Sequence, residues 1–440
     1  MAKFKPLEFI PRFVAASTPA GLGAQQRRNL IYTQMDALGV GIVSGVAPFL
    51  AVFLTRLGAT NFEVGLLSAM PGFTGLFLAM VMGRFLQGRR DIIPWYSGSR
   101  LIVNSAYVLT GVAALLLPHQ AIVPVVLIIW GLASLPQTLL SVSFTVVMNG
   151  IAGPRGRFTF MSRRWATLGL TSALSTALAG QVLERLAFPV NYPVVFIGFS
   201  LGGLVSFAFS RRLYLPSSVV DSLPDSGGAG AVEATPASKS PWWAPFKQSL
   251  TLALQRRAFV TFSLKRTVYI LGSTLSAPLF SLYYVREAQA SDAWISVITM
   301  MQQALLLIGY YLWPRQRDKR GSRFVLLSTT LLLSLYPIAT AFTPYVGLLV
   351  VYAGVTAIFQ AGLNLVFFDE LMKTVPPEHS ATFVAVDQTL QNLLVMIGPL
   401  LSTGLSGYIG IGGALIVSGL MRLLGCGLFF LGKEGRAVES

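Results

Sequence analysis

The stretch Phe383–Leu405, FVAVDQTLQNLLVMIGPLLSTGL, is apolar and long enough to cross a bilayer, yet its first half is polar. That half contains Asp387, Gln388, Gln391 and Asn392. A carboxylate inside a membrane costs about 2.5–3.5 kcal/mol on insertion scales, so it is expected to have a partner and to face protein or water. The sequence therefore predicts a membrane helix whose carboxylate pairs with a basic residue on another helix.

The composition of the chain is that of a membrane protein. Of its 440 residues, 54% are hydrophobic and 11% are charged, which is incompatible with a soluble domain that has a polar surface. The basic N-terminus lacks a clean small-residue cleavage site, so the first membrane helix is expected to direct insertion. Cys426 is the single cysteine, which excludes an internal disulfide and disfavours a cysteine metal cluster.

The net charge of +16 comes from lysines and arginines that fall in alternate loops. With the N-terminus in the cytoplasm, Arg56, Arg185 and Arg286 lie in outer loops and the other loop cations lie inside. This distribution follows the positive-inside rule. It predicts a multi-pass protein of the cytoplasmic membrane with both termini in the cytoplasm, and it explains the basic charge without nucleic acid as a partner.

Twelve membrane spans are predicted, each ended by proline, glycine or charge. The first six are Leu30–Leu57, Phe62–Leu86, Ile92–Leu117, Ala121–Asn149, Phe160–Leu183 and Pro193–Ser210. The second six are Phe259–Val285, Ala293–Trp313, Phe324–Phe342, Tyr345–Phe368, Phe383–Leu405 and Gly413–Leu431. The predicted fold class is an all-α polytopic membrane protein of two six-helix bundles. Its units are a cytoplasmic N-terminal segment (1–28), a first bundle (29–212), a cytoplasmic linker (213–257), a second bundle (258–432) and a cytoplasmic tail (433–440).

The linker has two parts of different composition. Residues 216–240 are rich in Ser, Gly, Ala and Pro and are predicted to be disordered. Residues 241–259, PWWAPFKQSLTLALQRRAF, combine aromatic and basic residues, a pattern typical of an amphipathic helix on the cytoplasmic membrane face. A plain helical extension of the seventh span explains this segment equally well.

The two halves of the chain are internal repeats. At an offset of 230 Arg56 matches Arg286, and at an offset of 223 Phe144 matches Phe367. Further matches in these registers are Met70 with Met300, Arg90 with Arg320, Gln137 with Gln360, and Thr159-Phe160 with Thr382-Phe383. The chain therefore consists of six spans, a linker and six spans again.

In this arrangement the chain resembles the major facilitator superfamily, over about residues 28–433. The loop after the second span, GRFLQGRR (83–90), keeps the glycines and the basic end of that family's G-x-L-x-D-R-x-G-R-R motif, with Gln87 in place of the aspartate. The signatures of proton-coupled members, drug antiporters and sugar porters are not found in the expected spans. The resemblance implies a rocker-type transporter with alternating access to a central cavity near the midplane.

Four charged residues lie at equivalent places in the two repeats. Asp36 corresponds to Arg266 and Arg164 corresponds to Asp387, so the charges are exchanged between the halves. If spans one and five are neighbours, and likewise seven and eleven, two ion pairs related by the repeat are predicted: Asp36 with Arg164 and Arg266 with Asp387. Their role is open between stapling two helices, carrying a proton that shifts the inward–outward equilibrium, and binding a charged solute.

Gating roles are predicted for residues at the cytoplasmic ends of the spans. Arg163 is expected to pair with Asp369 or Glu370 between the halves, in a contact that breaks when the inside opens. Basic residues in the loops after the second and eighth spans are assigned to the same gate: Arg89, Arg90, Lys319 and Arg320.

Uncharged amides are the candidate substrate contacts, because they orient a polar ligand without the insertion cost of a charge. The candidates are Gln137, Gln360, Asn364, Gln391, Gln302 and Gln34, and hydrogen bonding between helices is their alternative role. Tyr107, Trp130 and Tyr269 are candidates for stacking on a ligand or for packing. Arg100 and Arg422 fall in peripheral helices of the family fold, where snorkelling, lipid contact or a carbonyl partner is expected.

The sequence contains no recognisable catalytic constellation. His119 and His379 fall in loops on opposite sides of the membrane and cannot share a metal, and no phosphate-binding loop is found. We therefore expect no enzyme and no cofactor, and a monomer whose partners are a small-molecule substrate, the bilayer and, in a proton-coupled cycle, protons. A secondary transporter of undecided direction is the favoured function. The alternative is a non-transport protein of the same fold that delivers lipid or pigment or assembles a membrane complex.

Overall fold

The computed structural model describes residues 24–87, 89, 91–215, 244–375 and 380–432. The α-helices in these ranges are Ala24–Ser44, Pro48–Arg56, Asn61–Gln87, Ile93–Leu116, His119–Arg185, Asn191–Phe199, Leu201–Ser210, Ala244–Gln255, Arg257–Leu282, Asp292–Ala341, Val346–Thr374 and Ser380–Leu431. A short π-helix, Tyr283–Glu287, continues the helix that ends at Leu282. The predicted N-terminal segment, most of the linker and the tail lie outside the described residues, so the predicted unit boundaries stay a prediction.

In the described part of the chain, ten helices are long and apolar enough to cross a membrane. Two of them turn at a glycine with positive φ, Gly321 (φ 81°) and Gly410 (φ 76°), and each therefore supplies two spans. The total is twelve, and the predicted all-α fold class is confirmed. Spans 1 to 7 are Gln25–Arg56, Asn61–Ala79, Ile93–Leu116, His119–Met148, Arg163–Arg185, Asn191–Ser210 and Arg257–Glu287. Spans 8 and 9 divide Asp292–Ala341, span 10 is Val346–Thr374, and spans 11 and 12 divide Phe383–Leu431.

Two connections differ from the simplest prediction. Helical conformation runs through the link between spans 4 and 5, where the sequence predicted a loop around Pro154. The segment before span 7 is a separate helix because Arg256 is extended (φ −91°, ψ 94°), which excludes a plain extension of that span. Its placement on the membrane face stays a prediction, since Trp242 and Trp243 lie outside the described residues.

The two halves pack against each other through glycines. A Cβ on Gly72 of span 2 would lie 2.5 Å from the backbone nitrogen of Met396 in span 11. A Cβ on Gly180 of span 5 would overlap Ser296 Oγ in span 8. Small residues at such crossings let helices approach closely in a membrane. We call the end of the bundle that carries residues 24 and 432 the proximal end, and the opposite end the distal end.

Candidate functional site

A buried charge cluster in the first half is centred on Asp36 of span 1. Arg164 Nη2 of span 5 lies 3.4 Å from Asp36 Oδ2, and Arg100 Nε of span 3 lies 3.5 Å from Oδ1. Ser206 Oγ donates to Oδ1 at 2.6 Å, and the Tyr96 hydroxyl donates to Oδ2 at 3.3 Å. The side chain of Arg164 is 3% exposed, that of Arg100 is 6% exposed, and that of Asp36 is fully buried. One carboxylate therefore faces two guanidinium groups, and the cluster keeps an excess positive charge.

The predicted contact between Asp36 and Arg164 is present, but it is not an isolated pair. The expected lipid-facing or snorkelling position of Arg100 is wrong, because its side chain points inward to Asp36. A carboxylate within reach is a better partner for a guanidinium at this depth than hydrocarbon is. Arg164 also lies over the ring of Phe144, 4.6 Å from its centroid, which adds a cation–π contact.

The second half holds the other predicted pair. Arg266 of span 7 donates directly to Asp387 Oδ2 of span 11, and the two side chains are 15% and 8% exposed. Arg266 lies over the ring of Phe367, 5.4 Å from its centroid. Phe367 is the repeat equivalent of Phe144. The charges are thus exchanged between the halves, while each arginine stacks on the equivalent phenylalanine.

Arg422 of span 12 is the second buried arginine whose partner the sequence left open. It donates to the Leu333 carbonyl at 3.0 Å and to the hydroxyls of Ser276 and Ser273 at 2.6 and 3.3 Å. A carbonyl partner was one of the expected alternatives. Its described contacts are carbonyl and hydroxyl oxygens, and they join spans 7, 9 and 12.

At the distal end, Arg56 of span 1 reaches from the first half to the second. Its Nε lies 2.8 Å from Asp292 Oδ1 in span 8, and its Nη2 donates to the Ala290 carbonyl at 2.8 Å. The Tyr192 hydroxyl of span 6 donates to the same Asp292 oxygen at 2.8 Å. The Arg56 side chain is 27% exposed, so the contact lies at the edge of the solvent.

Arg286 of span 7 makes the reverse connection at the same end. It donates to Asn61 Oδ1 of span 2 and to the Ala59 carbonyl. Asn61 in turn donates to Ser406 Oγ of span 11 at 2.8 Å. Arg56 of the first half thus binds the second half, and Arg286 of the second half binds the first. We call these contacts, together with that between Asn61 and Ser406, the distal clasp.

The sequence analysis did not identify the distal clasp. The available signal was the repeat match of Arg56 with Arg286, because equivalent cations at the ends of spans 1 and 7 fall on the surface where the halves meet. Asn61 and Asp292 are also equivalent, at an offset of 231.

A cavity of about 340 Å³ lies at mid-depth in the first half, and its lining residues come from spans 1 to 4. Three predicted ligand contacts, Gln137, Tyr107 and Trp130, line it, together with Arg100 and Asn104. The rings of Tyr107 and Trp130 meet edge to face with centroids 4.8 Å apart. The cavity therefore combines a cation, amides and an aromatic corner.

The amides of the second half form a separate polar chain. Gln360 Nε2 donates to Asn364 Oδ1 at 2.9 Å, and Asn364 Nδ2 donates to the Tyr310 hydroxyl at 3.0 Å. This chain joins span 10 to span 8. Gln302 of span 8 interacts with the Tyr336 hydroxyl, and Gln391 of span 11 is half-buried. Their role as substrate contacts stays a prediction.

Two of the predicted ligand contacts are placed for packing. Gln34 is buried, and its Oε1 accepts a hydrogen bond from Thr167 at 2.6 Å, which joins spans 1 and 5. Tyr269 is fully buried, and its hydroxyl donates to the Thr330 carbonyl at 3.3 Å. These placements favour the helix–helix role for Gln34 and the packing role for Tyr269.

Near the proximal end, the acidic pair of span 10 is bound by cations of its own half. Asp369 lies 3.0 Å from Arg317 and 2.9 Å from Lys373, and Glu370 lies 2.6 Å from Lys373. The gate between Arg163 and this pair stays a prediction.

The basic loop residues assigned to the gate lie at the same end. Arg89 lies over the ring of Phe85 at 4.6 Å and Arg320 over that of Phe324 at 4.8 Å. Lys319 is exposed, and Arg90 and His379 lie outside the described residues. Among the described residues, no group of three or more His, Cys, Asp or Glu side chains is arranged to hold a metal ion.

Two comparisons relate this architecture to known proteins. Residues 262–439 match the family model described as Major Facilitator Superfamily. Two solved structures titled as the nucleoside transporter NupG, one of them a point mutant, are similar along nearly the whole chain. The mutant has a TM-score of 0.67 at 12% identity and covers 92% of this chain and 99% of its own. The other has a TM-score of 0.62 at 13% identity and covers 93% and 98%. The second half of the chain therefore matches the major facilitator superfamily model, and the chain along nearly its whole length has the fold of these transporters.

The resemblance predicted from the repeats and the loop motif is confirmed, and with it a multi-pass membrane protein. The family match and the transporter neighbours indicate a secondary transporter rather than an enzyme. At 12–13% identity, the likeness to the nucleoside transporters concerns the fold alone. No curated protein sequence matches the chain.

Proposed function

We propose that the protein moves a small polar solute across the cytoplasmic membrane by rocker-switch alternating access, with its proximal end toward the cytoplasm. The observation that carries the proposal is the distal clasp, in which Arg56 and Arg286 each reach into the opposite half. A clasp of two equivalent arms suits a gate, because both arms open together when one half rocks against the other at the distal end. The distribution of loop cations supports the orientation.

The location of the contacts divides the molecule into moving and rigid parts. The clasp lies at the solvent edge, where a charged hydrogen bond contributes about 1.5–3 kcal/mol and is readily exchanged for water. The Asp36 cluster and the Arg266–Asp387 pair lie inside their own halves, so rotation of one half against the other leaves them intact. We infer that the Asp36 cluster holds the first bundle rigid while the clasp opens and closes, and that the Arg266–Asp387 pair does the same for the second bundle as long as Asp387 is unprotonated.

Proton coupling is assigned to Asp387 rather than to Asp36. Asp36 is fully buried under two arginines and two hydroxyls, whereas Asp387 is paired with Arg266, which is partly exposed. A proton that reaches Asp387 releases Arg266 and shifts the balance between the two access states. A gate that responds to pH in the native protein and equally in Asp387→Asn would remove this assignment.

Arg100, Asn104 and Gln137 in the otherwise largely apolar wall of the first-half cavity favour transport over the non-transport alternative, for which an apolar, plugged centre is expected. The substrate is a polar solute that hydrogen-bonds with the amides of spans 4 and 10. Nucleosides enter as one class among those to be tested, alongside sugars, amino acids and organic acids.

The test uses the full chain reconstituted in liposomes, with Cys426→Ser as the background. Asn61→Cys and Ser406→Cys place two thiols across the clasp, where a short bifunctional thiol reagent with a reducible spacer closes it covalently. We expect uptake of one class from a labelled solute panel, its loss on cross-linking, and its return on reduction. The two single-cysteine variants are the controls, and the transport rate of each should be the same with and without the reagent. Uptake equal to that of protein-free liposomes for every class, or uptake unaffected by the cross-link, would contradict the proposal.

A further inference from the structure

We propose that the cavity in the first half binds the carboxylate of an aromatic organic acid, with Arg100 as the cationic contact. This inference rests on the proposed transport function and names the substrate class that would enter the cavity. The cavity and the charge cluster around Asp36 share Arg100, and neither was linked to the other by the sequence.

The first argument is the charge balance. Two arginines, Arg100 and Arg164, share one carboxylate in a buried site, which leaves one positive charge uncompensated. Isolated charge in a low-dielectric interior is costly, so an anion that reaches it is strongly favoured. A single excess charge matches a monoanion.

The second argument is the free hydrogen-bonding capacity of Arg100. Among the described residues its one hydrogen bond goes to the Tyr96 hydroxyl, and its buried Nε, 3.5 Å from Asp36 Oδ1, makes no hydrogen bond. A guanidinium presents five N–H donors in a planar fork that fits a carboxylate. Arg100 lines the cavity, so the remaining donors are placed to receive one.

The third argument is the chemistry of the other walls. Asn104 lines the same cavity, and its buried Nδ2 has no partner among the described residues. Gln137 adds an exposed amide. The wall that carries Arg100 therefore also carries two amides, which are able to donate to oxygen atoms of a ligand.

The fourth argument is shape. Tyr107 lies about two helical turns along span 3 from Arg100, and with Trp130 it forms an edge-to-face corner that accepts a planar ring. The volume of about 340 Å³ lies at the lower end of the range for small-molecule sites. A ring system of one or two rings with one carboxylate fits these limits.

Arg422 provides a matched control. It is as buried as Arg100, but its two terminal nitrogens both donate, to the Leu333 carbonyl and to two serine hydroxyls, and it does not line this cavity. Replacing it removes a buried arginine without removing the proposed contact.

The experiment measures binding to the purified full-length protein by tryptophan fluorescence and thermal shift. The probes are 2-naphthoate and its neutral isostere 2-naphthamide, and the variants are Arg100→Gln, Arg100→Lys and Arg422→Gln. We expect saturable naphthoate binding that weakens at least about 10-fold in Arg100→Gln, is partly restored in Arg100→Lys, and is retained in Arg422→Gln. The amide should bind at least about 10-fold more weakly than the acid.

Three results would overturn the inference: no saturable naphthoate binding by the native protein, equal binding in Arg100→Gln, or equal affinity for the amide. If Arg100→Gln does not fold, Asn104→Leu takes its place, because it removes an unpartnered donor and no member of the ion cluster. The proposed function is tested separately, and it fails if cross-linking the distal clasp leaves uptake unchanged. A protein that transports a neutral solute but ignores naphthoate would refute only the inference.

Discussion

Arg56 and Arg286 are equivalent in the internal repeat, and each binds the half of the protein to which it does not belong. Arg56 contacts Ala290 and Asp292, and Arg286 contacts the equivalent positions Ala59 and Asn61. The exchange follows the pseudo-twofold relation between the halves. One arm ends on a carboxylate and the other on an amide, so the two arms differ in strength while sharing a geometry.

Removing one arm of the clasp should open the distal end. Arg56→Gln deletes the ion pair with Asp292, and we expect the equilibrium to shift by about 10–150-fold, since a charged hydrogen bond contributes about 1.5–3 kcal/mol. The measurement is labelling of Ser296→Cys by a membrane-impermeant maleimide in the Cys426→Ser background. Arg185→Gln, an exposed cation at the same end, is the control. Equal labelling rates in the two variants would show that Arg56 does not close the gate.

A methyl group at the crossing of spans 5 and 8 should act in the same direction. In Gly180→Ala the new Cβ would overlap Ser296 Oγ, so the helices must separate locally. Gly198→Ala is the matched control, because a Cβ there meets nothing within 4 Å. We expect faster labelling of a distal cysteine in the first variant and an unchanged rate in the second. Native-like labelling in both would mean that the crossing is not tight.

The ion pair of the second half should tolerate reversal, because the first half already carries the reversed order. Arg266→Asp or Asp387→Arg alone leaves like charges together, and we expect each to destabilise by about 3–5 kcal/mol or more. The double variant restores one carboxylate and one guanidinium, so a large part of the lost thermal stability should return. The measurement is the midpoint of thermal unfolding in detergent of the native protein, the two single variants and the double variant. A double variant no more stable than the singles would contradict the pairing.

In the first half, loss of the Asp36 carboxylate should lower the thermal stability more than loss of either arginine. Asp36→Asn leaves two buried arginines without an anion, whereas Arg100→Gln leaves the Asp36–Arg164 pair. Uncompensated buried charge is the larger cost, so the expected order of unfolding midpoints is native, Arg100→Gln, then Asp36→Asn. Thermal unfolding of the three purified proteins checks the order. A midpoint for Asp36→Asn above that of Arg100→Gln would contradict the shared-carboxylate arrangement.

The spans and the contacts of Asp36 and Asp387 could be predicted because they depend on hydropathy and on one relation, the repeat register. Arg266 occupies the position equivalent to Asp36, and Asp387 the position equivalent to Arg164, so the exchange of charge can be read from the sequence. The inward position of the Arg100 side chain could not be predicted. The sequence of an apolar span gives little indication of how the helix is rotated about its own axis. That rotation decides which neighbour a side chain faces.

The partners of the two clasp arginines and the walls of the cavity could not be predicted from the sequence for a different reason. Contacts between Arg56 and Asp292 form only once the two halves dock, and hydropathy carries no information on the docking angle. The cavity results from the packing of four spans, so Gln137 was identified as a polar residue but its neighbours Arg100 and Asn104 were not. The remaining amide assignments, including Gln360, stay predictions.

The central claim is that the two ends of the protein open in alternation. Paired spin labels at exposed positions measure it directly: Phe62→Cys with Tyr408→Cys at the distal end, and Arg211→Cys with Arg315→Cys at the proximal end. Combining Arg56→Gln with Arg286→Gln should lengthen the distal distance and shorten the proximal one in the same sample. Distances that stay fixed at both ends, or that lengthen together, would contradict alternating access.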